Sequence, residues 1–186
     1  MPQPVAIYLV RHGEADAHWG QSADPGLSDL GQKQADASAR QLARRIGPDA
    51  VIVSSPLTRA MQTAAPLARI CGLDFQVEEA FREIPAPVPL AQRRDWLRGF
   101  MRQDWANQPA DLHAWRDALL SSLVARPSTT LIFTHFLVIN TIVGHALGES
   151  RTQCFWPDNA SITEINLNDQ QLELIERGRE METPIN

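Results

Sequence analysis

Apolar and polar positions fall into blocks along this chain, and the period changes from block to block. Val5-Ala6-Ile7-Tyr8-Leu9-Val10 is a continuous apolar run rich in β-formers, the pattern of a strand buried on both faces of a sheet. A polar loop with Gly and Pro follows, from 14 to about 26. Ser28 suits the N-cap of a helix running to about Arg45, with Leu30, Ala35, Ala39, Leu42 and Ile46 on one side and Gly47-Pro48 as its stop. The cycle then repeats. Val51-Ile52-Val53 predicts a short strand, Ser54-Ser55-Pro56 a break with a cap, and a helix runs on to about Ile70, before Gly72. Pro66 lies inside that helix and predicts a kink or an early end. Phe75-Gln76-Val77 reads as a weak third strand and Leu131-Ile132-Phe133 as a clear fourth. A helix follows from about 137 to 147, stopped by Gly148. Residues 161–167 and 171–175 read as two strands joined by Asn168-Asp169-Gln170.

Strands alternating with helices predict an α/β fold, a three-layer α/β/α sandwich with a mostly parallel sheet. Residues 84 to about 126 break the pattern. They open with Pro85, Pro87 and Pro89, then turn helical and rich in Trp (Trp96, Trp105, Trp115) and Arg (Arg93, Arg94, Arg98, Arg102). This stretch reads as a helical insertion packed over one end of the sheet, its aromatics forming a small core and its arginines a wet face or a lid. With no repeat and no second composition, residues 1–186 are expected to form one domain, and 181–186 a loose tail.

Composition narrows the function classes. The chain has 186 residues, 22 acidic against 17 basic, for a formal net charge of −5. That balance speaks against a nucleic-acid coat but leaves room for a local basic pocket. Cys71 and Cys154 have neither metal-like nor framework spacing. Met1-Pro2-Gln3-Pro4 does not resemble a secretion signal, and no apolar run reaches the ~20 residues of a membrane helix. The expectation is a cytosolic protein with no membrane partner.

In open α/β sheets, ligands bind beyond the carboxyl ends of the strands. Arg11-His12-Gly13-Glu14 follows the first strand, Ser54-Ser55-Pro56-Leu57-Thr58-Arg59 the second, and Thr134-His135 the fourth. Two histidines and two arginines are thus aimed at one edge. A guanidinium matches phosphate oxygens with a planar fork of donors. A neutral imidazole is a competent nucleophile, and two adjacent cations disfavour its protonation. Arg11 and Arg59 can therefore hold a phosphoryl group while His12 attacks it. The leaving oxygen needs a proton, and Glu83, between the third strand and the insertion, is the candidate acid. The competing assignment makes His12, Glu14 and His135 metal ligands, although two arginines in the same pocket would repel a divalent cation. His18, His113 and His145 are expected to be structural or solvated.

These segments resemble the histidine phosphatase superfamily, which includes the cofactor-dependent phosphoglycerate mutases. The resemblance rests on Arg11-His12-Gly13-Glu14, on Leu27-Ser28-Asp29-Leu30-Gly31, on residues 54–64, on Glu83, on Thr134-His135, and on Asn159-Ala160-Ser161-Ile162-Thr163-Glu164, all in the family's order. It implies a phosphohistidine intermediate on His12. It also implies a phosphate pocket of Arg11, Arg59 and His135, with Glu83 as acid and then base for water. No metal or other cofactor is implied, and the partner would be a small phosphorylated molecule; a homodimer stays open. The sequence departs from the family in two places. Phe136 stands where a Gly usually follows the second histidine, so its ring either narrows the pocket or points into the core. The Trp-Asn pair of mutase-like members is absent after Glu14. Hydrolysis of a phosphomonoester is the expected activity. The alternatives are a mutase that returns the phosphoryl group to substrate and a phospho-ligand binding module without turnover. Specificity is expected in the loop 16–26 and in the insertion.

Overall fold

The computed structural model describes residues 3–17 and 21–181. His18, Trp19, Gly20 and the tail 182–186 lie outside the described residues, and so do the expectations attached to them.

Six strands form one mixed sheet: β1 (Val5–Arg11), β2 (Val51–Ser54), β3 (Phe75–Val77), β4 (Thr130–Thr134), β5 (Ile162–Asn168) and β6 (Gln171–Glu176). Their order is β3-β2-β4-β1-β5-β6. The first four run parallel, β5 pairs antiparallel with β1, and β6 antiparallel with β5. The sheet is as parallel as expected on the β3 side, with a closing hairpin on the other. That hairpin turns through Asp169 and Gln170, both at positive φ, as a two-residue type I′ turn requires.

Among the described residues the α-helices are α1 (Asp29–Leu42), α2 (Thr58–Cys71), α3 (Arg93–Phe100), α4 (Ala110–Val124) and α5 (Phe136–Leu147). Alternate residues of β1 explain the layering. Tyr8 and Val10 pack with Ala39 and Leu42 of α1 and Ala64, Leu67 and Ala68 of α2 on one face. Ile7 and Leu9 pack with Leu119 and Leu123 of α4 and with Val138, Ile139 and Ile142 of α5 on the other. Both faces are covered, which is why the β1 segment reads as one apolar run. Each such fully buried Leu or Ile contributes about 1.5–3 kcal/mol relative to exposure. A third cluster joins Leu97, Phe100 and Met101 of α3 to Ile84, Trp105, Leu112, Phe136 and Leu137. The expected insertion therefore does two jobs. Its α3 half forms its own core at the start of α5, whereas α4 completes one layer of the sandwich.

Several expectations need correction. The first helix ends at Leu42, and residues 43–45 form a turn. Leu30 is half exposed, at 50%. The buried stripe of α1 is Gly31, Ala35, Ser38, Ala39 and Leu42, because the backbone after β1 presses on position 31. A Cβ on Gly31 would lie 2.1 Å from the Glu14 carbonyl oxygen. Pro66 does not end α2, which continues to Cys71. Pro66, Leu67 and Ala68 are all buried in the α1–β2 layer, and this packing holds the helix through the missing hydrogen bond. The break before α2 carries no local side-chain cap. The cap comes from Asp24 instead, whose carboxylate accepts from Thr58 N at 2.8 Å and from Thr58 Oγ1 at 2.7 Å. Ser28 caps α1 as expected, accepting from Gly31 N at 3.0 Å. Gly72 and Gly148 end their helices in the left-handed region, at φ 65° and 69°. Among the described residues no helix is long and apolar enough to cross a membrane.

The contact between positions 13–14 and 31 is backbone against backbone, so no side chain can swing aside. Gly31→Ala is expected to destabilise the fold by about 1–3 kcal/mol, lowering Tm by roughly 3–10 °C in a thermal unfolding scan. Ala at Gly47, where an added Cβ meets nothing within 4 Å, serves as the control.

Candidate active site

β1 and β4 are neighbours in parallel register, with Arg11 opposite Thr134. His12 N donates to Thr134 O at 3.0 Å, so His12 and His135 leave the sheet side by side. Their rings lie 5.3 Å apart. β2 ends on the other side of β4, where Ser55 N donates to Phe133 O at 2.9 Å. Arg59 enters from the first turn of α2. Residues named from three strand ends thus meet at the carboxyl edge of the sheet. Arg11, His12, Arg59, Glu83 and His135 are all buried.

The hydrogen bonds define the state of His12. Arg59 Nε, always a donor, reaches His12 Nε2 at 3.1 Å. Nε2 is therefore the unprotonated nitrogen, and Nδ1–H donates to Gly13 O at 2.7 Å. Gly13 is fixed in turn, because its N–H donates to Thr63 Oγ1 at 3.0 Å, one helical turn beyond Arg59. Burial, reinforced by Arg59 and Arg11, holds the imidazole well below its ordinary pKa. His135 is fully buried and is held well below its ordinary value by burial first and Arg59 second. Its Nε2 lies 2.7 Å from Ser55 Oγ, while Nδ1 is buried with no hydrogen-bond partner among the described residues.

Arg11 Nη1 donates to Pro157 O at 2.8 Å and touches Met181 Sδ at 3.5 Å, whereas its Nε is buried without an acceptor among the described residues. Burial pushes the Arg11 pKa down to about 10. Phe136 resolves one open point. Its ring is 1% exposed, packs in the α3 core against Trp156, and lies 5.4 Å below the Arg11 guanidinium. It supports Arg11 from the core and does not narrow the pocket.

Glu83 sits at the N-terminus of α5. Its carboxylate accepts from Ile84 N at 3.0 Å and Leu137 N at 3.3 Å. Burial raises its pKa against the opposing pull of those N–H groups and of Arg59. The loop carrying it is pinned from two directions. Thr134 Oγ1 donates to Phe81 O at 2.8 Å. Arg126 grips Glu78 bidentately at 2.8 and 2.5 Å, with its guanidinium 5.2 Å over the Phe81 ring.

Arg11, His12, Arg59 and Glu83 open on a cavity of about 740 Å³, whereas His135 lies behind its wall. Its walls include Arg11, His12, Arg59 and Glu83, the loop residues Asp16, Gln21, Ser22 and Pro25, and Arg93, Arg94, Leu97, Arg98 and Met101 of the insertion. Sequence reasoning left the insertion arginines as a wet face or a lid; Arg93, Arg94 and Arg98 line this cavity and Arg102 does not. It also missed Ser55, Thr63, Thr134 and the Arg126–Glu78 clamp. Ser55 and Thr63 lie inside the Arg59 block, but a hydroxyl there reads as a turn or a helix residue until its partner is known. Glu14, offered above as a metal ligand, accepts from Ser28 Oγ at 2.7 Å. Among the described residues no three His, Cys, Asp or Glu side chains come together as a metal set.

Comparison with known proteins agrees with this geometry. The sequence profile of the histidine phosphatase superfamily (branch 1) matches residues 7–179. The chain is 34% identical over 115 residues to the glucosyl-3-phosphoglycerate phosphatase of Mycobacterium tuberculosis, which covers 60% of this chain and 48% of that protein. It is 36% identical over 87 residues to a probable phosphoglycerate mutase of Photorhabdus laumondii, covering 42% and 37%. With a PE-PGRS family protein of M. tuberculosis it shares 43% identity over 91 residues, or 46% and 15%. The matched region is thus less than half of each of these relatives. Among solved structures, a mycobacterial glucosyl-3-phosphoglycerate phosphatase superposes with a TM-score of 0.75 at 24% identity, covering 92% of this chain and 97% of that one. A phosphoserine phosphatase from Entamoeba histolytica, solved with 3-phosphoglyceric acid, gives 0.76 at 21%, covering 94% and 97%. At these identities the likeness is one of fold. The profile match spans nearly the whole chain, and the chain belongs to the histidine phosphatase superfamily.

Proposed function

We propose that residues 1–186 act as one domain, a metal-independent phosphatase that hydrolyses a small phosphomonoester through a phosphohistidine on His12. The observation that carries this is the His12 arrangement: Nδ1–H tied to Gly13 O and a bare Nε2 facing Arg59. Such an imidazole is a nucleophile of fixed tautomer and direction. Buried Arg11 and Arg59 supply the charge that a phosphoryl group needs, and Arg11 Nε has no acceptor among the described residues. Proteins named as phosphatases among the relatives and structural neighbours favour the same chemistry.

The reaction runs in two steps. His12 Nε2 attacks phosphorus, the ester P–O bond breaks, and the leaving oxygen takes the proton of the Glu83 carboxyl. Water then gives its proton to the Glu83 carboxylate and attacks the phosphohistidine, releasing inorganic phosphate and free His12. Arg11, Arg59 and His135 hold the phosphoryl oxygens in both steps. Phe136, turned into the core, gives no support to a binding module without turnover.

His12→Ala is expected to abolish phosphate release and any acid-labile phosphoenzyme while the protein stays folded; turnover that survives this change overturns the mechanism. A chelator is expected to leave the rate unchanged. Conversion of phosphoglycerate isomers faster than phosphate release would point to the mutase instead.

The acid role gives a second expectation. Glu83→Gln should slow alkyl phosphates by roughly 100-fold or more, and p-nitrophenyl phosphate far less, since nitrophenolate leaves without a proton. The sign of the pH dependence follows from the two shifts. The raised Glu83 pKa keeps its proton above the ordinary carboxyl range, and activity on alkyl phosphates falls as pH rises through that pKa. The lowered His12 pKa keeps the nucleophile bare in mild acid, and activity falls only below the ordinary imidazole range. Glu83→Gln should remove the alkaline limb, as a pH profile of kcat/KM will read.

A further inference from the structure

The groups of this site do not rest on equal foundations. His12 and His135 follow β1 and β4, central strands that are buried along most of their length. Glu83 follows β3, an edge strand of three residues whose Gln76 and Val77 are exposed. Such a strand cannot by itself keep a carboxyl within the hydrogen-bond reach that proton transfer needs. The segment 78–83 is fixed by contacts from elsewhere, and Arg126, just beyond α4, makes two of them. Its Nη1 and Nη2 donate to the two Glu78 oxygens at 2.8 and 2.5 Å, and its guanidinium lies 5.2 Å over the Phe81 ring. Its Nε donates to Ser122 O at 2.9 Å, in the last turn of α4. Each guanidinium nitrogen thus has an acceptor. The pair is also sheltered, with the Arg126 side chain 13% exposed and that of Glu78 27%. By contrast, Arg82 and Glu79 on the same segment are 45% and 74% exposed, and an ion pair so open to water fixes little.

The two residues that Arg126 touches are themselves anchored. Glu78 N donates to Ser54 O at 2.9 Å, and the Phe81 ring is fully buried with Leu119 and Leu123 of α4. They bracket one turn of 3₁₀ helix, Glu79–Phe81, and Glu83 lies two residues beyond. Of the two N–H groups that orient its carboxylate, Leu137 N is the more distant at 3.3 Å, and a small shift of the segment breaks that bond first. Arg126 lies away from the cavity walls, and the charges that bear on the Glu83 proton are those of Arg59 and Arg93. Its influence is one of position. We propose that Arg126 is a positioning residue for the proton-transfer step: its fork on Glu78 and its contact with Phe81 hold the segment 78–83 so that the Glu83 carboxyl stays at the N-terminus of α5, within reach of the leaving oxygen. This rests on the phosphatase reading and on Glu83 as its acid.

The leaving group separates this role from a merely structural one. Alkyl phosphates need a proton on the departing oxygen and p-nitrophenyl phosphate does not, and kcat/KM reads only the steps up to its departure. In Arg126→Met, kcat/KM on alkyl phosphates is expected to fall about 10- to 100-fold, the cost of a small misplacement, while kcat/KM on p-nitrophenyl phosphate is kept. Arg126→Lys retains the charge and one bond to Glu78 but not the fork, and should lie between wild type and the methionine variant. Glu78→Gln keeps the shape and loses the ion pair, and should give the same selective loss even where Arg126→Met is too unstable to purify. In a Glu83→Gln background, Arg126→Met should cost alkyl phosphates nothing more, because the group it positions is gone. Equal losses on both substrate classes, no loss on either, or additive losses in the double variant would overturn the inference. Glu83→Gln alone distinguishes the two levels. Full alkyl activity there removes the acid assignment and the positioning role with it, whereas a slowed Glu83→Gln beside an unselective Arg126→Met removes the positioning role alone.

Discussion

The parallel pairing of β1 with β4 positions everything else at this site. Its register sets Arg11 against Thr134, and the next residue of each strand is a histidine. One hydrogen bond, His12 N to Thr134 O, carries the pairing a step past the sheet, where strands normally diverge. The two imidazoles are delivered together because the backbones beneath them are still bonded. β2, on the far side of β4, adds Ser55 below His135 and leads directly into Arg59. Hydrogen bonds from the same strand end reach the acid as well, since Thr134 holds the Phe81 carbonyl two residues before Glu83. A slip in that register would move His12, Arg11 and the segment that carries Glu83 apart at once.

Burial converts this geometry into chemistry. Arginines taken out of water lose hydration that only an anion can replace, and Arg11 shows the strain in a pKa pushed down to about 10. The imidazole between them stays neutral for the same reason. Glu83 is moved in the opposite sense, toward its protonated form. One dry environment thus lowers the proton affinity of the imidazole and raises that of the carboxyl within the same pocket. The overall negative charge of the chain is no obstacle, because this field is local and little screened.

Much of this was legible in the sequence, for identifiable reasons. β1, β4 and α5 are buried on all sides, so their apolar runs are unambiguous. Arg11, His12 and His135 stand at strand ends and Arg59 in the first turn of the helix after β2, where the fold class alone directs ligands. Glu83 could be placed because it falls between β3 and the insertion. What stayed hidden depends on contacts between segments far apart in the chain. The cap on α2 comes from Asp24, 34 residues earlier. Leu30 fits the apolar stripe of α1 by spacing, yet the inner position is Gly31, chosen by the backbone it meets. Phe136 could not be oriented until the α3 core was seen around it. The α3 arginines read as a solvated face because a sequence does not show which side of an insertion looks inward.

The contact between Arg11 and Met181 spans 170 residues, and it bears on the order in which the protein becomes competent. β1 precedes its sheet neighbours β4 and β5 along the chain, and these begin only at residues 130 and 162. An apolar strand destined for the centre of the sheet must therefore wait, exposed, while most of the polypeptide is made. Arg11 waits longest. Its guanidinium is held by the Pro157 carbonyl, ahead of β5, and by the Met181 sulfur, beyond β6. A chain lacking the segment beyond β6 would keep the backbone pairing of His12 to Thr134 but lose the Met181 contact of the cation beside it.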